Sequence, residues 1–196
     1  MKYGEATMGQ FEAVINKFGG MEGLNKFLRG ELVVEALERT SSIFKTITLG
    51  LHKDHKSYRK ALEADGYRIG DYAGQILKKI EVSQTPIELD LVVMTVGDLG
   101  FPPDGARRDA IYDRAKELGL QLCPAEVGPA LRLAYKNQLR GEWLLIAMEP
   151  IADSGGGLGV FGVGRDGGGL WLSSDYGGPG HVWNACGRWV FVGPRK

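Results

Sequence analysis

A basic run at residues 52–60 is the part of the chain best suited to a phosphate ligand. Asp54 is a typical N-cap for a helix that continues to Ala64, and this helix would place the cations of the run at one end of an exposed surface. Lys and Arg side chains make the phosphate contacts of nucleic-acid-binding proteins. The pattern predicts nucleic-acid contacts from Lys53, Lys56, Arg59 and Lys60, with a solvated helix face as the alternative interpretation.

Aromatic side chains in the glycine-rich region after residue 153 suggest a second chemistry. Flat aromatic rings on a sheet surface stack against sugars or bases. The candidates for such an aromatic surface are Trp171, Tyr176 and Trp183. Simple packing of these rings is the alternative, and Trp143 and Trp189, which lie in apolar runs, are predicted to be core residues.

Candidate acids and bases flank the same region. They are Glu126, Glu142, Glu149 and His181, and any two of the carboxylates could converge at one site. Carboxylates at strand ends are usually solvated, however, and no Gly-x-Ser-x-Gly turn is present to position a serine nucleophile. The sequence therefore predicts no catalytic residue.

The two cysteines are the other candidate nucleophiles. Cys123 lies in an apolar context that predicts burial, and buried thiols are usually inert. Cys186 follows His181 by five residues in the same loop or strand edge. Both thiols are predicted to be reduced, and a single bridge between them is the alternative.

Metal and nucleotide motifs are weak. His52, Asp54 and His55 could begin a metal site, but no Cys-x-x-Cys or His-Glu-x-x-His spacing accompanies them. Residues 157–162 and 162–167 both match G-x-G-x-x-G, a pattern that binds a dinucleotide only between a strand and a helix. Residues 170–172 predict another strand there, so neither a metal nor a cofactor is expected.

Composition and charge limit the partners. The chain has 196 residues, with 24 basic and 24 acidic side chains, so no overall field attracts nucleic acid or membranes. Residues 1–10 lack an apolar signal region, and no uncharged apolar run is long enough to span a bilayer, which predicts a cytoplasmic protein without membrane contact. A single domain over 1–196 is expected, and any subdivision would separate a helix-rich 1–100 from a β-rich 101–196.

Periodicity in the first part of the chain predicts helices and two strands. Apolar residues at helical spacing predict helices at 8–18, 21–29, 54–64, within 67–80 and at 106–118, and the fourth has Asp71 near its start and Tyr72 facing inward. Residues 43–51 and 87–96 predict strands. The first two helices are similar in size to a helix-turn-helix, but packing or docking of a protein partner is favoured for them.

The last third predicts an antiparallel sheet. Short apolar runs at 131–135, 143–148, 160–163, 170–172 and 189–192 are separated by turn residues, which is typical of strands joined by hairpins. The run 143–148 lacks polar residues on either phase and is predicted to lie in mid-sheet. The expected fold class is α+β, with N-terminal helices and one or two strands packed on a C-terminal antiparallel sheet of about five strands.

Four segments carry a resemblance to known sequences. They are residues 8–17, 115–129, 141–151 and 188–192, which cover both ends and the middle of the chain. In these segments the chain resembles a group of uncharacterised bacterial proteins. The resemblance implies a bacterial origin and assigns no activity, cofactor or catalytic residue.

The sequence thus favours a non-enzymatic bacterial regulatory module that binds a macromolecule. The basic run suggests nucleic acid and the N-terminal helical hairpin suggests a protein partner. The alternative is a hydrolase-like enzyme or a carbohydrate-binding domain that uses the aromatic surface of the C-terminal sheet. A structural protein that acts through an oligomer interface is the third interpretation.

Overall fold

The computed structural model describes residues 7–17, 20–30 and 42–194, and the chain forms two compact units, 1–40 and 41–196. The first unit contains helices α1 (Met8–Lys17) and α2 (Met21–Leu28), which contact each other as the apolar spacing predicts. No residue of α2 is buried, and Phe11, Phe27 and Leu28 are exposed.

The second unit has a mixed α and β architecture. Its helices are α3 (His55–Ala64), α4 (Asp71–Leu77), α5 (Arg108–Glu117) and α6 (Val127–Ala134). Its strands are β1 (Lys45–Leu49), β2 (Arg68–Ile69), β3 (Ile87–Thr95), β4 (Ala106–Arg107), β5 (Trp143–Ile146), β6 (Ile151–Ala152), β7 (Leu158–Asp166), β8 (Gly169–Tyr176), β9 (Val182–Trp183) and β10 (Arg188–Val192).

The main sheet is eight-stranded, with the order β1-β3-β10-β5-β7-β8-β2 and β6 paired to β7, while β4 and β9 form a separate pair. β10 runs parallel to β5, and β2 runs parallel to β8. The predicted combination of helices and a sheet is confirmed, whereas an antiparallel sheet of about five strands matches only loosely, because the sheet is larger and mixed. The physical reason is that β10 inserts between β3 and β5, so that strands far apart in sequence become neighbours.

Helix α6 replaces the strand predicted at 131–135. The alternation of apolar residues there is also compatible with a helix, because Val127 and Leu131 are four residues apart and both are buried on one side of α6. The helix begins at Val127, upstream of the apolar run from which the strand was predicted.

Helix α3 forms as predicted, whereas α4 is shorter than expected. Asp54 accepts a hydrogen bond from the backbone N–H of Ser57 in a capping box, and the inward side chains Tyr58 and Leu62 are buried. The helix predicted within 67–80 begins at Asp71, near the expected start, and ends at Leu77, while residues 68–69 pair with β8. Tyr72 is 61% exposed, so the prediction that it faces inward is wrong.

The two faces of β7 differ in what packs against them. Phe161 is buried against α6, where Gly128 allows the helix to approach closely: a Cβ on Gly128 would lie 2.5 Å from the Phe161 ring. Gly162 alternates with Phe161 and faces the opposite side, in register with Leu145 of β5 and Ser173 of β8. We call these the helix-covered face and the groove face.

Candidate ligand groove on the open face of the sheet

A cavity of about 440 Å³ lies on the groove face, and we call it the tryptophan groove. It is bounded by the start of β5, the middle of β7 and β8, and the segment 183–188 that leads into β10. The polar and aromatic side chains of its lining include Glu142, Trp143, Ser173, Asp175, Trp183, Asn184, Cys186 and Arg188.

Trp143 forms one end of the groove because the neighbouring strand carries glycine. Trp143 pairs with Gly164 in the β5–β7 register, and a Cβ on Gly164 would collide with the Trp143 ring. The ring therefore lies directly over the bare backbone of β7 and is 43% exposed. The prediction that Trp143 is a core residue is wrong, whereas residues 144–148 of the same run are buried as predicted.

Trp183 is a second aromatic wall, held in place by its neighbours. Its ring makes edge contacts with Trp189, at 5.3 Å between centroids, and with His181, at 4.8 Å. Trp189 is fully buried, as predicted, and packs in turn against Tyr112 of α5. The half-buried Trp183 is therefore anchored to the core on one side and lines the groove on the other.

Glu142 and Arg188 form an ion pair in the groove wall. Arg188 donates to Glu142 Oε1 over 2.6 Å, and the Tyr135 hydroxyl donates to Glu142 Oε2 over 2.7 Å. Burial and the hydrogen bond to Glu142 raise the pKa of Tyr135 to about 12, which keeps it a donor at ordinary pH. Both carboxylate oxygens of Glu142 are thus occupied by protein groups.

Asp175 is the other carboxylate in the lining. It is exposed, its Oδ1 accepts a hydrogen bond from the Tyr176 N–H over 2.7 Å, and among the described residues it has no ion pair. Ser173 and Asn184 add neutral polar groups to the groove. The lining therefore combines two aromatic walls, neutral donors and acceptors, and one carboxylate that lacks a cationic partner in the described structure.

Two buried polar side chains hold the segment that leads into β5. Gln138 donates to the carbonyls of Glu142 and Val163 over 3.2 and 3.0 Å. Arg132 donates to Gln138 Oε1 over 2.5 Å and to the Gly164 carbonyl over 3.2 Å, and burial lowers its pKa to about 10. This network ties the backbone at Glu142 to β7. The sequence analysis did not predict this network. The sequence feature that points to it is Arg132, an arginine within an apolar run.

The predicted basic patch lies on the other side of the sheet. Lys53, Lys56 and Lys60 are exposed, whereas Arg59 donates to Glu63 and to the Gly74 carbonyl, each over 3.3 Å. Helix α3 contacts α6, which covers the Phe161 side of β7. The structure therefore places these cations beside the helix-covered face, away from the tryptophan groove.

Of the three aromatic residues predicted to share a surface, two are not part of the groove lining. The Trp171 indole donates to Asp166 over 2.8 Å, its ring lies beneath the Arg68 guanidinium, and it does not line the groove. Tyr176 is exposed, and its ring lies 5.1 Å from His181, which contacts Trp183. Of the three predicted residues, only Trp183 lines the groove, and Trp143 was missed.

The candidate acids do not converge. Glu126 is buried beside α3, where it accepts hydrogen bonds from Gly50 N, Tyr58 OH and Ser83 N at 2.9, 2.7 and 2.8 Å. Glu149 is exposed and lies outside the groove lining, so Glu142 is the member of this set that reaches the groove.

Both cysteines are free thiols. Cys123 is buried as predicted, its Sγ lies 3.3 Å from the Val190 carbonyl, and burial raises its pKa. Cys186 is exposed in the groove, where its backbone N–H donates to Asn184. Cys123 is therefore a core residue, and Cys186 is accessible to a ligand in the groove.

The metal and nucleotide patterns have ordinary structural settings. His52 packs against Tyr58, at 4.3 Å between centroids, and no group of three or more potential ligands is placed to hold a metal within the described ranges. The glycine pattern at 162–167 runs from β7 into the β8 hairpin, as predicted, so no helix follows it.

Comparison with known proteins gives no relative: no family model, no curated protein and no solved structure matches this chain. Within the described ranges, none of the helices has the length and apolar character needed to span a bilayer.

Proposed function

We propose that the second unit is a carbohydrate-binding module whose ligand lies in the tryptophan groove. The observation that carries this proposal is the exposed Trp143 ring over Gly164, in one groove with the anchored Trp183. Sugar rings present apolar C–H faces that pack on aromatic rings, and their hydroxyls need hydrogen-bonding partners. Ser173, Asp175 and Asn184 supply those partners beside the two rings.

Binding without hydrolysis is the function that fits the carboxylates. Most glycosidases use two carboxyl groups, one on each side of the bond that is cleaved. In the tryptophan groove, Glu142 is occupied by Arg188 and Tyr135, which leaves Asp175 as the one carboxylate that can turn to a ligand. We therefore assign the groove to recognition.

The first experiment is a titration of the intrinsic tryptophan fluorescence with soluble oligosaccharides of defined length. A saturable change is expected with at least one saccharide, because Trp143 is partly exposed at the groove. W143A should weaken that binding about 10- to 100-fold, since stacking on one aromatic ring contributes about 1–3 kcal/mol.

The matched control is Y72A, which removes an exposed aromatic ring on α4 outside the groove lining and should leave affinity unchanged. Circular dichroism of both variants checks that the fold is intact. The proposal is wrong if no oligosaccharide gives a response, or if W143A and Y72A lose affinity equally.

Nucleic acid binding at the basic patch is a second candidate, supported by the exposure of Lys53, Lys56 and Lys60. The tryptophan groove does not favour phosphate, because its arginine is paired with Glu142. Oligonucleotides at two salt concentrations test this candidate. K53Q combined with K56Q should weaken binding and reduce its salt dependence, since each lost phosphate contact lowers the salt slope by about 1. Unchanged affinity would contradict it.

A further inference from the structure

We propose that the saccharide bound in the tryptophan groove is an amino sugar oligomer whose protonated amine contacts Asp175. This inference rests on the proposed function and narrows its ligand to one chemical class. It follows from the charges in the groove, from the free oxygen of Asp175, and from the positions of Asp175 and Trp143 along the sheet.

The charges in the groove leave one carboxylate uncompensated. Glu142 and Arg188 neutralise each other over 2.6 Å, and the second oxygen of Glu142 accepts from Tyr135. The remaining charged side chain of the lining is Asp175. A cationic group on the ligand therefore gains an attraction that a neutral sugar lacks, and an anionic sugar meets repulsion.

Asp175 has an oxygen free for such a group. Its Oδ1 accepts the Tyr176 N–H, and no hydrogen bond from a described residue occupies Oδ2. Since Asp175 is exposed at the groove, an ammonium can approach without removing an existing partner. Charge-assisted hydrogen bonds of this kind are about twice as strong as neutral ones.

The two Trp rings that line the groove can contact a cation, but they do not by themselves favour a cationic sugar over a neutral one. Tryptophan is the aromatic residue that attracts cations most strongly, and it also stacks on neutral sugars. Ser173 and Asn184 suit sugar hydroxyls, which distinguishes the groove from a site for a simple alkyl amine. The rings and neutral groups thus recognise the sugar, and Asp175 recognises the amine.

The register of the strands indicates that the ligand is an oligosaccharide rather than a single sugar. Trp143 is level with Gly164 and Trp171, whereas Asp175 lies four residues further along β8. At about 3.4 Å per residue, that separation is roughly 14 Å along the sheet, longer than one sugar ring. A ligand that stacks on Trp143 and reaches Asp175 must therefore contain at least two sugar units.

The test compares three β-1,4-linked trimers of equal length by calorimetry: glucosamine, N-acetylglucosamine and glucose. The glucosamine trimer should bind about tenfold more tightly than the two neutral trimers, since one charge-assisted contact corresponds to about this factor. D175N should abolish this preference, so that the glucosamine trimer binds no more tightly than the two neutral trimers. D113N, which removes an exposed carboxylate on α5 outside the groove, is the matched control and should preserve the preference.

Each other outcome has a distinct meaning. Equal binding of all three trimers overturns the amino sugar assignment and leaves the carbohydrate module in place. A preference that survives in D175N overturns the role of Asp175. Tighter binding of a lysine-rich peptide, lost in D175N, overturns the sugar class in favour of a cationic peptide. Absence of binding by every trimer, with no response to other oligosaccharides, overturns the proposed function itself.

Discussion

Over residues 161–164 of β7, the helix-covered face and the groove face differ in the size of their side chains. On β7, Phe161 and Val163 point to the helices and are fully buried, whereas Gly162 and Gly164 point to the groove. The large residues fix the strand against α6, and the glycines leave space for a ligand beside it. Alternate residues of one strand can therefore serve different purposes: those that face the helices stabilise the fold, and those that face the groove form a binding surface. Substitutions on each face test the two roles separately.

The largest expected effect is the difference in lost stability between a substitution on the helix-covered face and one on the groove face. F161A removes a fully buried ring from the helix-covered face and should lower the free energy of unfolding by about 3–5 kcal/mol. W143A removes a larger but partly exposed ring from the groove face and should cost about 1–2 kcal/mol. Urea denaturation of both variants measures the difference. Equal losses would show that the groove face also belongs to the core.

A smaller effect is expected at the buried carboxylate of the helix-covered side. E126Q replaces a carboxylate that accepts three hydrogen bonds with an amide whose NH2 group faces donors, so we expect a loss of about 2–3 kcal/mol. The control is E149Q, an exposed position where the change should stay within about 0.5 kcal/mol. Urea midpoints of the two variants measure the contrast, and a tolerated E126Q would mean that the hydrogen bonds contribute little net stability.

The smallest expected effect is a pH dependence of stability that arises from Tyr135 in the groove wall. The pKa of Tyr135 is raised to about 12, above the value of about 10 in an unfolded chain. The stabilising contribution of the protonated phenol is therefore complete below about pH 10 and is lost as pH rises from about 10 to 12. Y135F should cost about 1 kcal/mol at neutral pH and should flatten the alkaline decline of stability over that window.

Urea midpoints between pH 9 and 12 measure this effect, with Y176F, which removes an exposed phenol, as the control. An alkaline decline in Y135F that is as steep as in the unmodified protein would contradict the role given to the hydrogen bond between Tyr135 and Glu142.

Local sequence signals account for much of the fold. Asp54 and Gly66 bound α3 through a cap and a positive φ, which act within a few residues. The apolar runs at 143–148, 160–163 and 189–192 become strands for a similar reason, because composition alone favours them. What sequence reasoning missed depends on strand pairing. The pairing of β10 with β5 joins residues that are far apart in sequence, and no turn or cap residue predicts it.

The candidate groove was harder to predict than the fold, for the same reason. Trp143 becomes a binding residue only because Gly164 lies opposite it, and that register cannot be read from either run alone. Trp183 was recognised from its glycine-rich setting, but Trp171, in a similar setting, is held by Asp166 and Arg68 elsewhere. The pairing of Glu142 with Arg188 joins residues 46 positions apart.

The central position of β10 also has a consequence for how the sheet assembles. Without residues 188–192, β3 and β5 would each present an unpaired edge, because β10 lies between them. Open edges are templates for pairing with other chains. Residues 188–192 are synthesised after the other strands of the sheet, so we expect a chain that lacks them to aggregate more readily than one in which β10 has paired.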